Sequence, residues 1–491
     1  MIETSTEIRD RSALERLLNI FANVQAKEGV TGLLLLSNIF LILLAYYFIK
    51  PVREGWLSVS VITGLSKLEV KAYSAFAQSL LLLAILPLYA FVAARVTRRR
   101  LILYTGIVSA GCLLLFWLMQ PGMLADQIPY SGVLFYIFVG IFSVTLVAQF
   151  WSFASDLYGL EKGKRLFPLV AVGATSGAMV GSWVGERLLR LNWLSTFDLI
   201  LLAIIPIGAA VALAYRVDKR ETQRKPSSTS DMLADPKRSA VFVAPARNKI
   251  RARIARQNQP AAPKGEGPFR QILKHHYLSA AALLMLLFSW VVASGDNLLF
   301  GMVQNALEIE FGENPDPAAY SAYLKQATTA FYGDLYFWIN FWGLFLQAFI
   351  VSRLIKFGGF GVLLSMTPLV SLIANVSMAI APILGVIKTV KIAENASNYS
   401  INNTARHMLW LPTSKSMLYQ AKTTADTLFV RLGDGLAALT VLIGTRLLDF
   451  SLFQFLTINI TLSLFWFLLA IYLFTEYRKW EQQSDNANQS K

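Results

Sequence analysis

Cysteine and histidine are almost missing from this chain: among 491 residues there are one Cys and three His. With Cys112 alone, no intramolecular disulfide can form, and thiol chemistry does not report the compartment. His275 and His276 sit together in a polar loop, so no His/Cys cluster offers a metal site. The phosphate-cradling pattern G-x-x-x-x-G-K-S/T is absent, which removes the visible machinery of ATP hydrolysis. No catalytic triad is suggested, and no cofactor is implied. Charge is scarce too. Charged residues make up 15% of the chain, against about 25% in a typical soluble domain. Hydrophobic residues reach 55%, which excludes intrinsic disorder and argues against a soluble enzyme.

What is abundant is long apolar sequence. A membrane-crossing helix needs about 20 mostly apolar residues. Runs of that kind occupy 31–49, 74–95, 101–119, 131–155, 166–185, 196–215, 278–303, 329–351, 358–380 and 451–475. Two further stretches, 384–410 and 420–445, are polar for spans, but the short gaps around them leave room for little else. The expectation is an all-α polytopic membrane protein of about twelve transmembrane helices.

The charge distribution orients it. Arg95, Arg98, Arg99 and Arg100 follow the second span, and Lys162, Lys164 and Arg165 follow the fourth. Loop 216–276 carries 15 Lys+Arg against 5 Asp+Glu, which is +10 of the net +15. Loop 120–130 has no Lys or Arg, and loop 304–328 holds Glu308, Glu310, Glu313 and Asp316 against Lys325. The positive-inside rule then places both termini in the cytoplasm. Residues 1–29 carry both charge signs and no cleavage site follows the first run, so no signal peptide is expected.

Loop 216–276 is rich in Pro and Ser and reads as a linker dividing the chain into six plus six spans. The expected organisation is a cytoplasmic segment 1–30, a half 31–215, the linker 216–276, a half 277–476 and a tail 477–491. The linker has almost no aromatic residues, which favours contact with anionic lipid over nucleic acid. A weak repeat supports two halves: Ala94-Arg95-Val96-Thr97-Arg98 after span two answers Ser352-Arg353-Leu354-Ile355-Lys356 after span eight. Six plus six spans with that loop motif is the plan of major-facilitator transporters, whose site lies between the halves near the midplane.

Ionisable residues inside spans are costly and mark candidate sites. Lys50 and Arg53 lie one turn apart with Glu54 four residues from Lys50, provided the first helix passes Pro51. Two such cations suit a phosphate or carboxylate; the plainer reading ends the helix near Lys50 with snorkelling side chains. Span ten places Lys391, Glu394 or Asn395, Asn398 and Asn402 in one polar stripe, which faces either a wet cavity or other helices. In span eleven Lys422 pairs with Asp426 and Arg431 with Asp434 by spacing. Asp296 and Asp334 are lone acids among apolar neighbours. Gly173, Gly177 and Gly181 recur at four-residue spacing, a mark of close helix packing.

Specific blocks carry a family resemblance. Phe150-Trp151-Ser152-Phe153-Ala154, then Glu161-Lys162-Gly163-Lys164-Arg165-Leu166-Phe167-Pro168-Leu169 and Gly173-Ala174, resemble the F-W-x-F-A-N and E-A-K-R-F-F-P-L motifs of the nucleotide transporters typified by ATP/ADP translocases of plastids and intracellular bacteria. Lys422 through Asp426 and Arg431-Leu432-Gly433 are similar to that family's K-x-x-x-D and R-L-G-K. Gly333-Asp334 and Arg53-Glu54 resemble its G-D-F and K-D. Asp434 stands where the family has Lys, and Asn297-Leu298-Leu299-Phe300 where it has N-L-V-E, as suits a divergent bacterial branch.

The resemblance implies a monomeric, non-enzymatic carrier of the bacterial inner membrane that moves nucleotides or other organic anions. Lys50, Arg53, Lys391 and Arg431 are the expected anion contacts, with Asn398 and Asn402 as neutral hydrogen-bonding partners. Glu54, Asp334, Glu394, Lys422 and Asp426 are the expected gating or charge-balancing groups. A carrier of another solute, or a non-transporting membrane protein on the same scaffold, remains the alternative.

Overall fold

The computed structural model describes residues 28–93, 95–121, 130–224, 268–312, 316–413 and 421–489, together with Glu15, Val24, Gln25 and Met123. In the first half, helices run over Gly29–Ser58 (α1), Lys67–Ala93 (α2), Arg98–Leu118 (α3), Ser131–Tyr158 (α4), Arg165–Arg190 (α5) and Asp198–Arg224 (α6). A short helix, Pro268–Lys274, leads into the second half. There His276–Phe311 is α7, and Pro317–Phe345 with the π turn Leu346–Ile350 begins α8. Val351–Ile380 continues helically but breaks at Gly359, beyond which it is α9. Leu384–Ser397, a π turn Asn398–Asn402 and Asn403–Met408 form α10; Ala421–Arg446 is α11 and Leu452–Gln489 is α12.

Ten segments among the described residues are long and apolar enough to cross a membrane. Two features separate that number from twelve crossings. Pro317–Ile380 counts once although Gly359, at φ 69°, turns the chain within it; a side chain there would be strained, so the break falls on glycine. α10 falls short on composition because its polar stripe is buried inside protein instead of facing lipid. The chain is a multi-pass, all-helical membrane protein, and large apolar side chains such as Ile107, Ile205, Ile373 and Phe465 stand on its outer surface.

The polar ends of the helices pass well beyond the apolar runs. α6 reaches Arg224, where Asp218 pairs with Arg98 and Arg99, so part of the expected linker is helix. Most of 304–328 is also helix, since α7 ends at Phe311 and α8 starts at Pro317 under an Asp316 N-cap. Apolar runs report only the hydrocarbon-spanning part of a helix, and the capped, solvated turns lie outside it. Residues 225–267, the bulk of the linker, lie outside the described residues, as do Glu313 and most of 120–130.

Each half has its own apolar core. One gathers Leu35, Ile39, Phe135, Phe150 and Ile200; the other gathers Leu278, Met285, Leu363 and Trp466. A third cluster, with Leu57, Tyr136, Phe300, Tyr332 and Leu335, spans the halves. Glycines set the closest approach in the first half. A Cβ on Gly173, Gly177 or Gly181 would lie 2.5, 2.3 or 2.8 Å from the carbonyl oxygen of Leu36, Phe40 or Leu44. The spacing therefore marks close helix packing, as expected from the sequence, and the structure shows the partner to be α1, in parallel register. The two basic ends of the internal repeat also match: Arg95 donates to Phe91 O and Arg353 to Phe349 O.

Candidate functional site

The first helix does not end at Lys50. Pro51 lacks the N–H for an internal helix bond, yet α1 runs on to Ser58, as proline-containing helices do when neighbouring helices support them. That extension places Lys50, Arg53 and Glu54 on a cavity of about 320 Å³ between the halves, within the usual range for small-molecule sites. α1, α2 and α4 supply one wall; α7, α8, α10 and α11 supply the other.

Carboxylates organise the cations of the first wall. Glu54 is 1% exposed and accepts from Arg53 Nε at 3.0 Å and from Lys71 Nζ of α2. The Arg53 guanidinium and Lys71 ammonium both lie against the Tyr136 ring, at 4.6 and 4.4 Å. The sequence spacing offers Glu54 to Lys50, but the structure gives it to Arg53 and Lys71. Lys50 turns instead to the Tyr336 ring, 3.8 Å away, with Tyr47 at 4.9 Å. Charge over an aromatic face is attractive by about 0.5–2 kcal/mol, which partly offsets the loss of water.

The facing wall is also charged. Arg431 donates to Asp434 Oδ2 at 2.9 Å and to Ser79 Oγ of α2 at 3.0 Å. Asp434 further accepts from Ser79 and from Ser289 of α7, each at 2.5 Å. Asp296 lines the cavity and lies 3.6 Å from Lys391 Nζ behind it. Lys391, 1% exposed, bonds Glu394 at 2.6 Å; Glu394 also accepts from Ser371. An unpaired charge at mid-membrane costs about 3 kcal/mol or more, so this pairing is required.

The stripe of α10 does not stay on one face. The π turn Asn398–Asn402 shifts the helix register, as an extra residue in one turn must. Asn395 and Tyr399 therefore line the cavity. Asn402 donates to Asn398 Oδ1 at 2.9 Å, and neither belongs to the lining. Asp334 pairs with Lys388 and ties α8 to α10 away from the cavity. Lys422 and Asp426 pair as their spacing suggests, and Arg406 joins Asp426 at 3.1 Å.

Several lining residues were not singled out from sequence: Lys71, Ser79, Tyr136 and Tyr336. Lys71 precedes the apolar run at 74, although Lys71, Ala75, Gln78 and Leu82 recur at helical spacing and carry a usable signal. Two polar atoms on lining residues, the Tyr332 hydroxyl and Gln78 Oε1, are buried without a partner among the described residues. A polar solute or water satisfies such groups.

The end of the bundle opposite α1's start is tied across the halves. Arg446 of α11 bonds Glu69 of α2 at 2.6 Å, and Gln326 of α8 donates to Asn192 at 3.1 Å. A Cβ on Gly55 would lie 1.9 Å from Thr329 Oγ1, so α1 and α8 touch there. Nearer the cavity, Tyr47 donates to Asn340 at 3.4 Å.

Known proteins resemble this chain in sequence and in fold. The family model for the TLC ATP/ADP transporter matches residues 119–477. The ADP,ATP carrier protein 1 of Chlamydia trachomatis serovar D and that of Chlamydia muridarum are each 22% identical over 344 residues, or 64% of this chain. The match spans 58% of the length of these curated relatives. Among solved structures, a POT family transporter in complex with a thioalcohol-conjugated peptide has a TM-score of 0.60 at 12% identity, covering 96% of this chain and 99% of that one. The nucleoside transporter NupG gives 0.54 at 11% identity, covering 90% and 100%. The human organic anion transporter MFSD10 gives 0.52 at 16%, covering 91% and 100%. These likenesses show a major-facilitator-like fold.

Proposed function

We propose that this chain, which belongs to the TLC ATP/ADP transporter family, is a secondary carrier that moves nucleotides across a bacterial inner membrane by alternating access. One observation carries the reading: Lys50, Arg53, Lys71 and Arg431 meet five tyrosines in a cavity built from both halves. Phosphate needs fixed cations, and a nucleobase stacks on aromatic faces. No bond in the substrate is made or broken in such a cycle.

Lys50, Arg53 and Arg431 are the proposed anion contacts on the cavity wall. Lys391 acts through Asp296, while Asn398 and Asn402, expected as substrate partners, bond to each other off the cavity lining. Glu54 and Glu394 balance the cations beside them; Asp334, Lys422 and Asp426 hold α8, α10 and α11 in place as the halves rock. The Glu69–Arg446 and Gln326–Asn192 contacts form the gate at the far end. Both termini face the cytoplasm, the basic linker contacts anionic lipid and not nucleic acid, and the carrier works as a monomer.

The test is uptake of phosphate-labelled AMP, ADP and ATP by intact bacterial cells making the protein, followed by release on adding unlabelled nucleotide outside. Saturable uptake of at least one above empty cells supports the reading, and counter-release identifies exchange. No uptake of any of them, with the folded protein shown in the membrane, overturns it.

A further inference from the structure

The cavity is nearly neutral. Lys50, Arg53, Lys71 and Arg431 face Glu54, Asp296 and Asp434, a net charge of +1. The pairing is more telling than the sum. Glu54 holds both Arg53 and Lys71, and Asp434 holds Arg431. Lys391, behind the wall, adds no charge because Glu394 matches it. Lys50 alone among these cations has no carboxylate partner among the described residues; its ammonium rests on tyrosine rings.

Asp434 is fixed where it neutralises the facing wall. Donors from three helices converge on it: Ser79 of α2, Ser289 of α7 and Arg431 of its own helix. Without its charge, Arg431 becomes a further cavity cation with no carboxylate paired to it among the described residues. A nucleoside triphosphate brings about four negative charges, a monophosphate about 1.5 to 2. Charge taken out of water without a partner is strongly disfavoured. Tyr332, 3% exposed and with a hydroxyl that has no partner among the described residues, and the neighbouring rings fit an uncharged aromatic body.

We propose that this cavity selects nucleoside monophosphates, with one anionic group beside an aromatic ring, over di- and triphosphates, and that Asp434 is the residue that sets the limit. The proposal rests on the nucleotide-carrier reading above. Lys50 takes the phosphate, and Asp434 repels the further phosphates of a longer chain.

The experiment uses the full-length protein reconstituted in liposomes at fixed ionic strength. Uptake of labelled AMP is competed with unlabelled adenosine, AMP, ADP and ATP. The expected order is AMP first, then ADP, then ATP, with adenosine weaker than AMP because it leaves Lys50 unmatched. In Asp434→Asn, which keeps the side-chain shape, the ATP-to-AMP preference rises about tenfold or more, the effect of one unit charge at roughly 10 Å in a medium of effective permittivity about 20. Asp434→Ser provides a second variant should the first misfold, and the wild-type order needs neither. ATP as the best wild-type competitor overturns the charge limit. An equal loss for every competitor in both variants overturns the role of Asp434, since a purely structural residue does not sort by charge. If labelled AMP, ADP and ATP are all refused by the wild-type liposomes, the nucleotide reading itself falls, a different result from an ATP-first order.

Discussion

Lys50→Met tests the site at its most exposed assumption. The change keeps the length of the side chain and its apolar contact with Tyr46, Tyr47 and Tyr336 while removing the charge. Two terms act on the empty protein. Loss of the cation–aromatic contact costs about 0.5–2 kcal/mol. Relief from holding a 7% exposed ammonium away from water offsets it, because no carboxylate partner is left stranded. Thermal stability in detergent should therefore hold. Substrate binding has no such offset. A hydrogen bond between a charged donor and a phosphate contributes about 1.5–3 kcal/mol, or about 10- to 150-fold in affinity. Half-saturating concentration for AMP uptake should rise by that factor, while competition by adenosine should change little. Lys50→Arg should recover part of the affinity. Wild-type AMP uptake by a folded Lys50→Met protein would refute the assignment. An equal loss for adenosine would refute the phosphate contact.

Other perturbations separate contact from scaffold. Arg431→Ala should lower nucleotide uptake about tenfold or more; it also strands the Asp434 carboxylate, so the double variant Arg431→Ala/Asp434→Asn serves as the stability control, and normal uptake by either folded variant would remove Arg431 from the site. Glu69→Gln removes the charge from the far-end pair with Arg446; Arg446 is 44% exposed but Glu69 only 4%, so the change should shift the conformational balance by about 1 kcal/mol or more. Reagent labelling of a cysteine placed at Ala75 on the cavity wall should then rise by about fivefold or more, and an unchanged rate would argue against a gate at that end. Gly177→Val forces a Cβ to 2.3 Å from the Phe40 carbonyl and should cost about 1–3 kcal/mol or more, read as a lower Tm in detergent. An unaffected Tm would mean that α1 and α5 are not pressed together there.

The architecture was largely legible because membrane solvation leaves few choices. Apolar runs of about 20 residues had to be helices. Gly173, Gly177 and Gly181 marked a close helix contact because only small residues permit it, though not that α1 is the partner. The ends of the helices were not legible. Beyond hydrocarbon, hydropathy stops distinguishing helix from loop, so α2 was begun too late and Lys71 was lost with its first turn. The tyrosines escaped for another reason: Tyr136 and Tyr336 are indistinguishable in sequence from ordinary core aromatics until the cations above them are placed.

Partner choice shows where one-dimensional reasoning ends. The rule that residues three or four apart pair on a helix works for Lys422 with Asp426 and for Arg431 with Asp434. It fails for Lys50 and Glu54, which have the same spacing. The difference lies in what else reaches the acid. On α1 the Lys71 ammonium arrives from a second helix across the cavity wall, and Arg53 lies next in chain, so Glu54 is satisfied without Lys50. A carboxylate facing a helix junction takes cations from both helices, and local spacing then decides nothing. The same competition leaves Lys50 over Tyr336 without a carboxylate partner among the described residues. The cation that sequence spacing would have neutralised first is the one that the packing of α1 against α2 leaves available to an anion.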